Sequence, residues 1–190
     1  MAATDPDHTI FGVRQVDFTA LLDTCCADGS ATIQVVDNPQ IANFTFIYED
    51  GETFTLRGGD SIVARIEEDD SFIGVDCVLT TAQLMPDLDE IMVGGLNVDD
   101  KWTSPVSSDE DAFPFEMIIW IQQYTESESK SREDEFVKVT MSCCRGRKDT
   151  WGNEDKAFGV QTYTIKCRIN ECIDAVPVAA MEYDKVAAIT

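Results

Sequence analysis

Histidine is almost missing from this sequence: His8 is the single one in 190 residues. That removes most hydrolytic constellations in which an imidazole serves as base. Cations are scarce too, with fourteen Lys and Arg against thirty-six Asp and Glu and a net charge of −22. A surface so charged repels phosphate backbones and anionic lipid, which argues against sequence-specific nucleic-acid binding. No run of eighteen apolar residues occurs, so no membrane-spanning helix is expected. The opening residues, MAATDPDH, lack both a basic region and an apolar stretch, and predict no secretory signal. The phosphate-cradle, dinucleotide, zinc-helix and nucleophile-elbow motifs are all missing, and so is a D-x-D-x-D-G calcium loop. Gly58-Gly59 and Gly94-Gly95 are too short for phosphate cradles and read as turns or caps. Carboxylates are abundant, but no spacing singles out a catalytic pair. The expectation is a protein that is not an enzyme and carries no cofactor.

What is present begins with seven cysteines, at 25, 26, 77, 143, 144, 167 and 172. The number is odd and no Cys-x-x-Cys occurs. The adjacent pairs, Cys25-Cys26 and Cys143-Cys144, point to opposite faces of a strand and cannot readily share one zinc. They are expected to be small buried residues of a chain folded in a reducing cytosol, with a disulfide framework or zinc site as the alternative.

Most of the chain alternates with period two. Asp50-Gly51 between Phe44–Glu49 and Glu52–Arg57 predicts a hairpin in which Tyr48 faces Thr53, Phe46 faces Thr55 and Ile47 faces Phe54. Both faces of that ribbon are apolar and its tip is acidic, which suits a ribbon packed on a neighbour. Strands are further expected at 31–36, 60–67, 115–122, 136–142 and 160–169. In the last, Tyr163, Ile165, Cys167 and Ile169 face inward. One helix is expected over 84–95. A capping box of Thr80 with Gln83 is one start, and Pro86 as the first helical residue fits better, with Asp87, Asp89 and Glu90 behind it. Leu88, Ile91 and Met92 make its apolar stripe, and Gly94-Gly95 ends it. Strand 115–122 is apolar on both faces, so it is central or covered by another chain. Residues 97–114 form an acidic connection, 124–135 a polar loop, 145–148 the only basic cluster, and 149–155 a turn-rich stretch. The predicted fold is one all-β domain spanning 1–190. It is a sandwich or barrel of seven or eight mostly antiparallel strands with one short helix. An N-terminal arm (1–30), a protruding hairpin (41–67) and a C-terminal arm (174–190) extend from it.

In order and texture the chain resembles the tail tube proteins of long-tailed bacteriophages. The features that carry this are the N-terminal segment 10–36 with its short strand and the hairpin 41–67. The single helix running into Gly94-Gly95 follows, then the apolar strand 115–122, a polar excursion and a second strand. A closing strand of the form Phe158-Gly-x-x-x-Tyr-x-Ile ends the series. The resemblance covers most of the chain but rests on no diagnostic motif. It implies a structural virion protein that assembles itself into stacked hexameric rings, forming an acidic-lined conduit for DNA ejection. Its partners would be other copies of itself, a tape-measure protein, tail terminator and tip proteins, and DNA that passes without specific binding. There would be no membrane anchor. Assembly would take place in the host bacterial cytoplasm and the product would reside in the virion tail. The seven cysteines and the long 97–114 segment depart from a simple version of the pattern.

On that reading the interface residues are Phe46, Tyr48, Asp50, Gly51, Glu52, Phe54, Ile118, Trp120, Arg145, Arg147 and Lys148. Closed rings would remove exposed strand edges, and an acidic lumen would not retain DNA. The acidic runs 67–70, 99–100 and 109–111 read as solvated loops. Asn43-Phe44-Thr45 is a formal glycosylation sequon, read as a coincidence. Two other classes fit the composition: a monomeric acidic β-sandwich binding carbohydrate or Ca²⁺, and an enzyme using two carboxylates. For a sugar platform, Trp102, Trp120 and Trp151 are the candidates, with Trp120 better placed in a core or interface.

Overall fold

The alternating runs fold as strands. The computed structural model describes residues 8–22, 25, 33–37, 39–58, 61–82, 84–106, 112–125, 135–152, 159–171, 177–178, 180–186 and 189. The strands are β1 (His8–Ala20), β2 (Ile33–Asp37), β3 (Ile41–Glu49), β4 (Thr53–Gly58), β5 (Ser61–Glu67) and β6 (Ser71–Thr81). After helix α1 (Pro86–Val93) come β7 (Leu96–Val98), β8 (Lys101–Thr103), β9 (Phe115–Thr125), β10 (Glu135–Gly152) and β11 (Val160–Arg168). The short strands β12 (Asn170–Glu171) and β13 (Pro177–Val178) pair with each other, and β14 (Glu182–Val186) is last. The main sheet is antiparallel, in the order β2-β1-β9-β10-β11-β6-β3, with β14 also pairing β10. The all-β class with one short helix is therefore as expected.

The sheet folds over on itself. Val36 of β2 and Val75 of β6, near opposite ends of the strand order, lie in one buried cluster with Phe18, Ile119, Val139, Met141 and Ile165. The turning point is in β10. Its first half pairs β9 and β14, its second half pairs β11, and a register break between Met141 and Cys144 separates them. Cys143 has a left-handed φ of 49° at that break. In β1, register shifts around Val13 let Val13 and Val16, an odd number apart, both turn to the core.

Helix α1 closes one face. Pro86 stands at its first turn, Asp87 and Asp89 favour its positive end, and the Gly94 N–H bonds Glu90 O at 2.9 Å. Leu88, Ile91 and Met92 are buried, each contributing about 1.5–3 kcal/mol. The helix approaches β10 closely at Gly146, where an added Cβ would fall 2.1 Å from Met92 Sδ. Of the two helix starts, Pro86 is the one found; Thr80 belongs to β6.

Several expectations need correction. The chain does not turn at Asp50-Gly51: β3 pairs β6, and β4 pairs β5. Phe46 thus lies opposite Val75, Ile47 opposite Gly74, and Tyr48 opposite Phe72. The Asp50-Gly51 step is where one long ribbon passes from its inner to its outer half. There Gly51 lies against the Glu68 carbonyl, 1.8 Å from where a Cβ would stand. Residues 8–20, assigned to an arm, form a central strand with Val16 and Phe18 buried, because β1 fills the place between β2 and β9. The basic cluster and the start of the turn-rich stretch are strand, since β10 continues to Gly152. Ile169 lies beyond β11 and is exposed. Residues 107–111, 126–134 and 153–158 lie outside the described residues.

The cysteines are also not all reduced. Cys25 is bonded to Cys143, and Cys144 to Cys167. The opposite orientation of strand neighbours, which argues against shared zinc ligation, is what gives Cys143 and Cys144 different partners. Cys26 and Cys172 lie outside the described residues. Cys77 is free and buried, and burial pushes its thiol up from 9.0 to about 12. Burial, and then the nearby Asp89 carboxylate, also hold the Tyr163 phenol above its ordinary range.

Both groups are neutral when protonated, so the unfolded chain loses these protons first as pH rises. Stability should be intact below about pH 9 and fall from there towards pH 12. The slope is about 1.4 kcal/mol per pH unit for each group titrated only in the unfolded chain. Denaturant melts across that range test this, and a flat profile would show that neither group is held neutral.

Candidate functional site

Alternation places every second side chain of a ribbon on one face, and a ribbon without a layer beneath it leaves that face in water. The ribbon built from β3–β4 and β5–β6 does so. Phe46 is 50% exposed, Tyr48 57%, Phe54 52% and Ile66 64%. Phe72 bridges the first two, its ring centroid 6.4 Å from Phe46 and 5.7 Å from Tyr48. Phe54 and Ile66 are direct cross-strand partners farther out. Between these apolar groups lies an exposed acidic collar of Glu49, Asp50, Glu52, Glu67, Glu68, Asp69 and Asp70. It is held by Glu68 N–H to Glu52 O at 3.1 Å and Gly51 N–H to Asp70 Oδ1 at 3.0 Å.

The edge strand β2 adds exposed Ile33 and Val35. Where β1 and β3 approach each other, an apolar cleft of about 550 Å³ opens. Its walls include Val13, Ala42, Phe44, Ile121, Val137 and Met181.

The remaining expected interface residues separate into different settings. Trp120 is 1% exposed and already covered within its own chain. Its Nε1–H donates to Asp17 Oδ2 at 2.7 Å, and Gln15 Nε2 donates to Asp17 Oδ1 at 2.6 Å. Lys138 Nζ stands 5.7 Å from the same ring. Ile118, two residues away on that face, is half-buried. The double-faced strand β9 is therefore central, with an internal polar layer on its second side. Arg145 is exposed. Arg147 is exposed too, and its Nε bonds Asp149 Oδ1 at 2.8 Å. The Thr164 hydroxyl bond, and then Arg147, hold the Asp149 carboxyl below its usual value.

Lys148 belongs to another arrangement. Its Nζ donates to Asp89 Oδ1 at 2.9 Å and Oδ2 at 2.7 Å, with only 14% and 3% of the two side chains exposed. Tyr163 O–H donates to Asp89 Oδ1 at 2.8 Å. Three rings surround the ammonium: Trp151 at 5.3 Å, Tyr163 at 5.7 Å and Trp102 at 5.8 Å to centroid. Trp102 is fixed by its Nε1–H to Gly94 O at 2.9 Å. Four elements, α1, β8, β10 and β11, meet at this point. Nothing local in the sequence marks Asp89 as Lys148's partner. The only signal is a carboxylate next to the helix's apolar stripe.

Among the described residues, no group of three or more His, Cys, Asp or Glu could hold a metal ion. Among the same residues, no helix is long and apolar enough to cross a membrane. No protein-family model matches the chain, and no curated protein sequence matches it.

Proposed function

We propose that this chain is a self-assembling structural subunit of the tail-tube type, stacking in rings around an acidic conduit. The observation that carries this reading is the ribbon whose Phe46, Tyr48, Phe54 and Ile66 stand in water. A two-stranded ribbon is marginal by itself, and its aromatic side chains gain stability only against a second surface. The β1/β3 cleft on the same chain is apolar and different from the ribbon. A ribbon meeting a cleft is a head-to-tail contact, the kind that generates closed rings or open tubes. The partners are then further copies of the chain, with a tape-measure protein and terminator and tip proteins at the ends. DNA would traverse the lumen unretained, since −22 per subunit repels phosphate. Rings built in a reducing bacterial cytoplasm and released in a virion tail would close their disulfides in the oxidising surroundings outside, where such bonds form and persist.

Sedimentation over a range of concentrations, with negative-stain electron microscopy, tests this. Rings or hollow tubes are expected. Their formation should strengthen with salt, because screening relieves repulsion between acidic collars. Phe46→Asp with Phe54→Asp should abolish them while lowering the monomer's stability by about 1–3 kcal/mol, which leaves it folded by circular dichroism. A monomer at every concentration and salt level, or assembly unchanged in the double variant, would overturn the reading.

A further inference from the structure

We propose that the concavity between Trp102 and Trp151 binds a neutral saccharide, one sugar ring stacking on Trp151 while Lys148 and Asp100 hold its hydroxyls. The hollow is about 270 Å³, and its lining includes Asp89, Asp100, Lys101, Trp102, Lys148 and Trp151. It lies at the small end of ligand sites and suits one ring with a second unit left at the rim. Trp151 is 60% exposed, which leaves an indole face for the apolar C–H side of a pyranose.

The electrostatics select the ligand class. A ring of aromatic faces around a cation is the usual receptor for an ammonium ligand. Here that position is filled by Lys148 of the chain itself. The Lys148 charge is in turn matched by Asp89, and Asp100 and Lys101 stand together in the wall, so the lining carries no net charge and offers an anion no net attraction. What remains favourable is an uncharged molecule with an apolar face and groups that both donate and accept. Lys148 has three N–H donors and spends two on Asp89, leaving one for a hydroxyl. Asp100 supplies an acceptor. It is presented by the β7–β8 hairpin, whose two turn residues, Asp99 and Asp100, both hold left-handed φ values, 53° and 59°.

The test uses the full chain with glucose, galactose, mannose and N-acetylglucosamine, and their β-linked disaccharides. It reads saturation-transfer NMR and tryptophan fluorescence. At least one sugar is expected to bind with Kd on the order of 1 mM. Trp151→Ala should weaken it roughly tenfold or more while lowering the melting temperature by only about 2–4 °C, and Trp151→Phe should retain part of the binding. Glucuronic acid should bind no more tightly than glucose. The inference fails if none of these sugars shows saturation transfer, if binding survives Trp151→Ala, or if glucuronic acid binds more tightly than glucose. None of these readouts depends on ring assembly.

Discussion

Asp89→Ala is expected to destabilise the protein by about 3–5 kcal/mol, a larger loss than any surface substitution should give. The reason is the environment of what stays behind. Asp89 is the carboxylate that both of its partners reach: Lys148 through two oxygens and Tyr163 through its hydroxyl. Without it, an ammonium with 14% of its side chain exposed faces three rings and no counter-charge. Ring faces attract a cation by about 0.5–2 kcal/mol, less than the several kcal/mol that desolvation costs it. Tyr163 would still lie 2.7 Å from Gln161 Oε1, so the phenol is not the larger part of the loss. At this chain length the melting temperature should fall on the order of 10 °C. The double variant Asp89→Leu with Lys148→Met should recover most of that, because an apolar pair replaces a buried ion pair at little net cost. Thermal melts followed by circular dichroism decide it. A loss under about 1 kcal/mol would mean that the pair behaves as a solvated surface bridge.

How much of this was legible in the sequence depends on the distance over which each feature is determined. Helix α1 was readable, since Pro86, the stripe of Leu88, Ile91 and Met92, and Gly94 all act within three turns. The inward face of β11 was readable through Tyr163, Ile165 and Cys167, because alternation is a local property. The turn at Asp50-Gly51 was misread for the opposite reason. Two alternating runs around Asp-Gly carry the same local signal whether the chain reverses there or runs straight on. Here β6 takes the place opposite β3, and the reversal is displaced to the link between β4 and β5. Strand β6 itself gave little signal, since Gly74 and Asp76 interrupt its apolar pattern. The exposed aromatics of the ribbon followed from the sequence as positions, with their exposure settled only by the pairing. The Asp89–Lys148 cluster was not legible, because its members lie 59 residues apart on different elements. Lys148 was grouped with Arg145 and Arg147 as a basic cluster at an interface, whereas strand geometry turns it the other way, toward the helix.

Loss of the Cys144–Cys167 bond should be the second large effect. In the chain-entropy account, closing a loop of 23 residues stabilises by about 3 kcal/mol, and the 118-residue loop of Cys25–Cys143 by about 5 kcal/mol. The two bonds share the β10 kink, so they do more than shorten the unfolded chain. Cys144 joins the core-facing side of β10 to β11, and Cys143 ties the same kink to the segment after β1. This is where the sheet changes partners and folds over. Reduction should therefore lower the melting temperature by on the order of 10 °C. Cys144→Ala with Cys167→Ala leaves Cys25–Cys143 in place and should reproduce the smaller share of the effect under non-reducing conditions, about 3 kcal/mol plus the cost of any cavity left. Cys77 provides an internal check. In the strand register it lies opposite Ile165, two residues from Cys167. Its thiol, held up to about 12 by burial, has almost no thiolate at neutral pH with which to attack the bond. Peptide mapping of the native protein at neutral pH should thus find Cys144 bonded to Cys167 and Cys77 unmodified. Scrambling to a Cys77–Cys167 bond would appear only once the chain is unfolded or the pH approaches the thiol's raised value. If reduction leaves the melting temperature unchanged, the kink is held by β-sheet pairing and core packing alone.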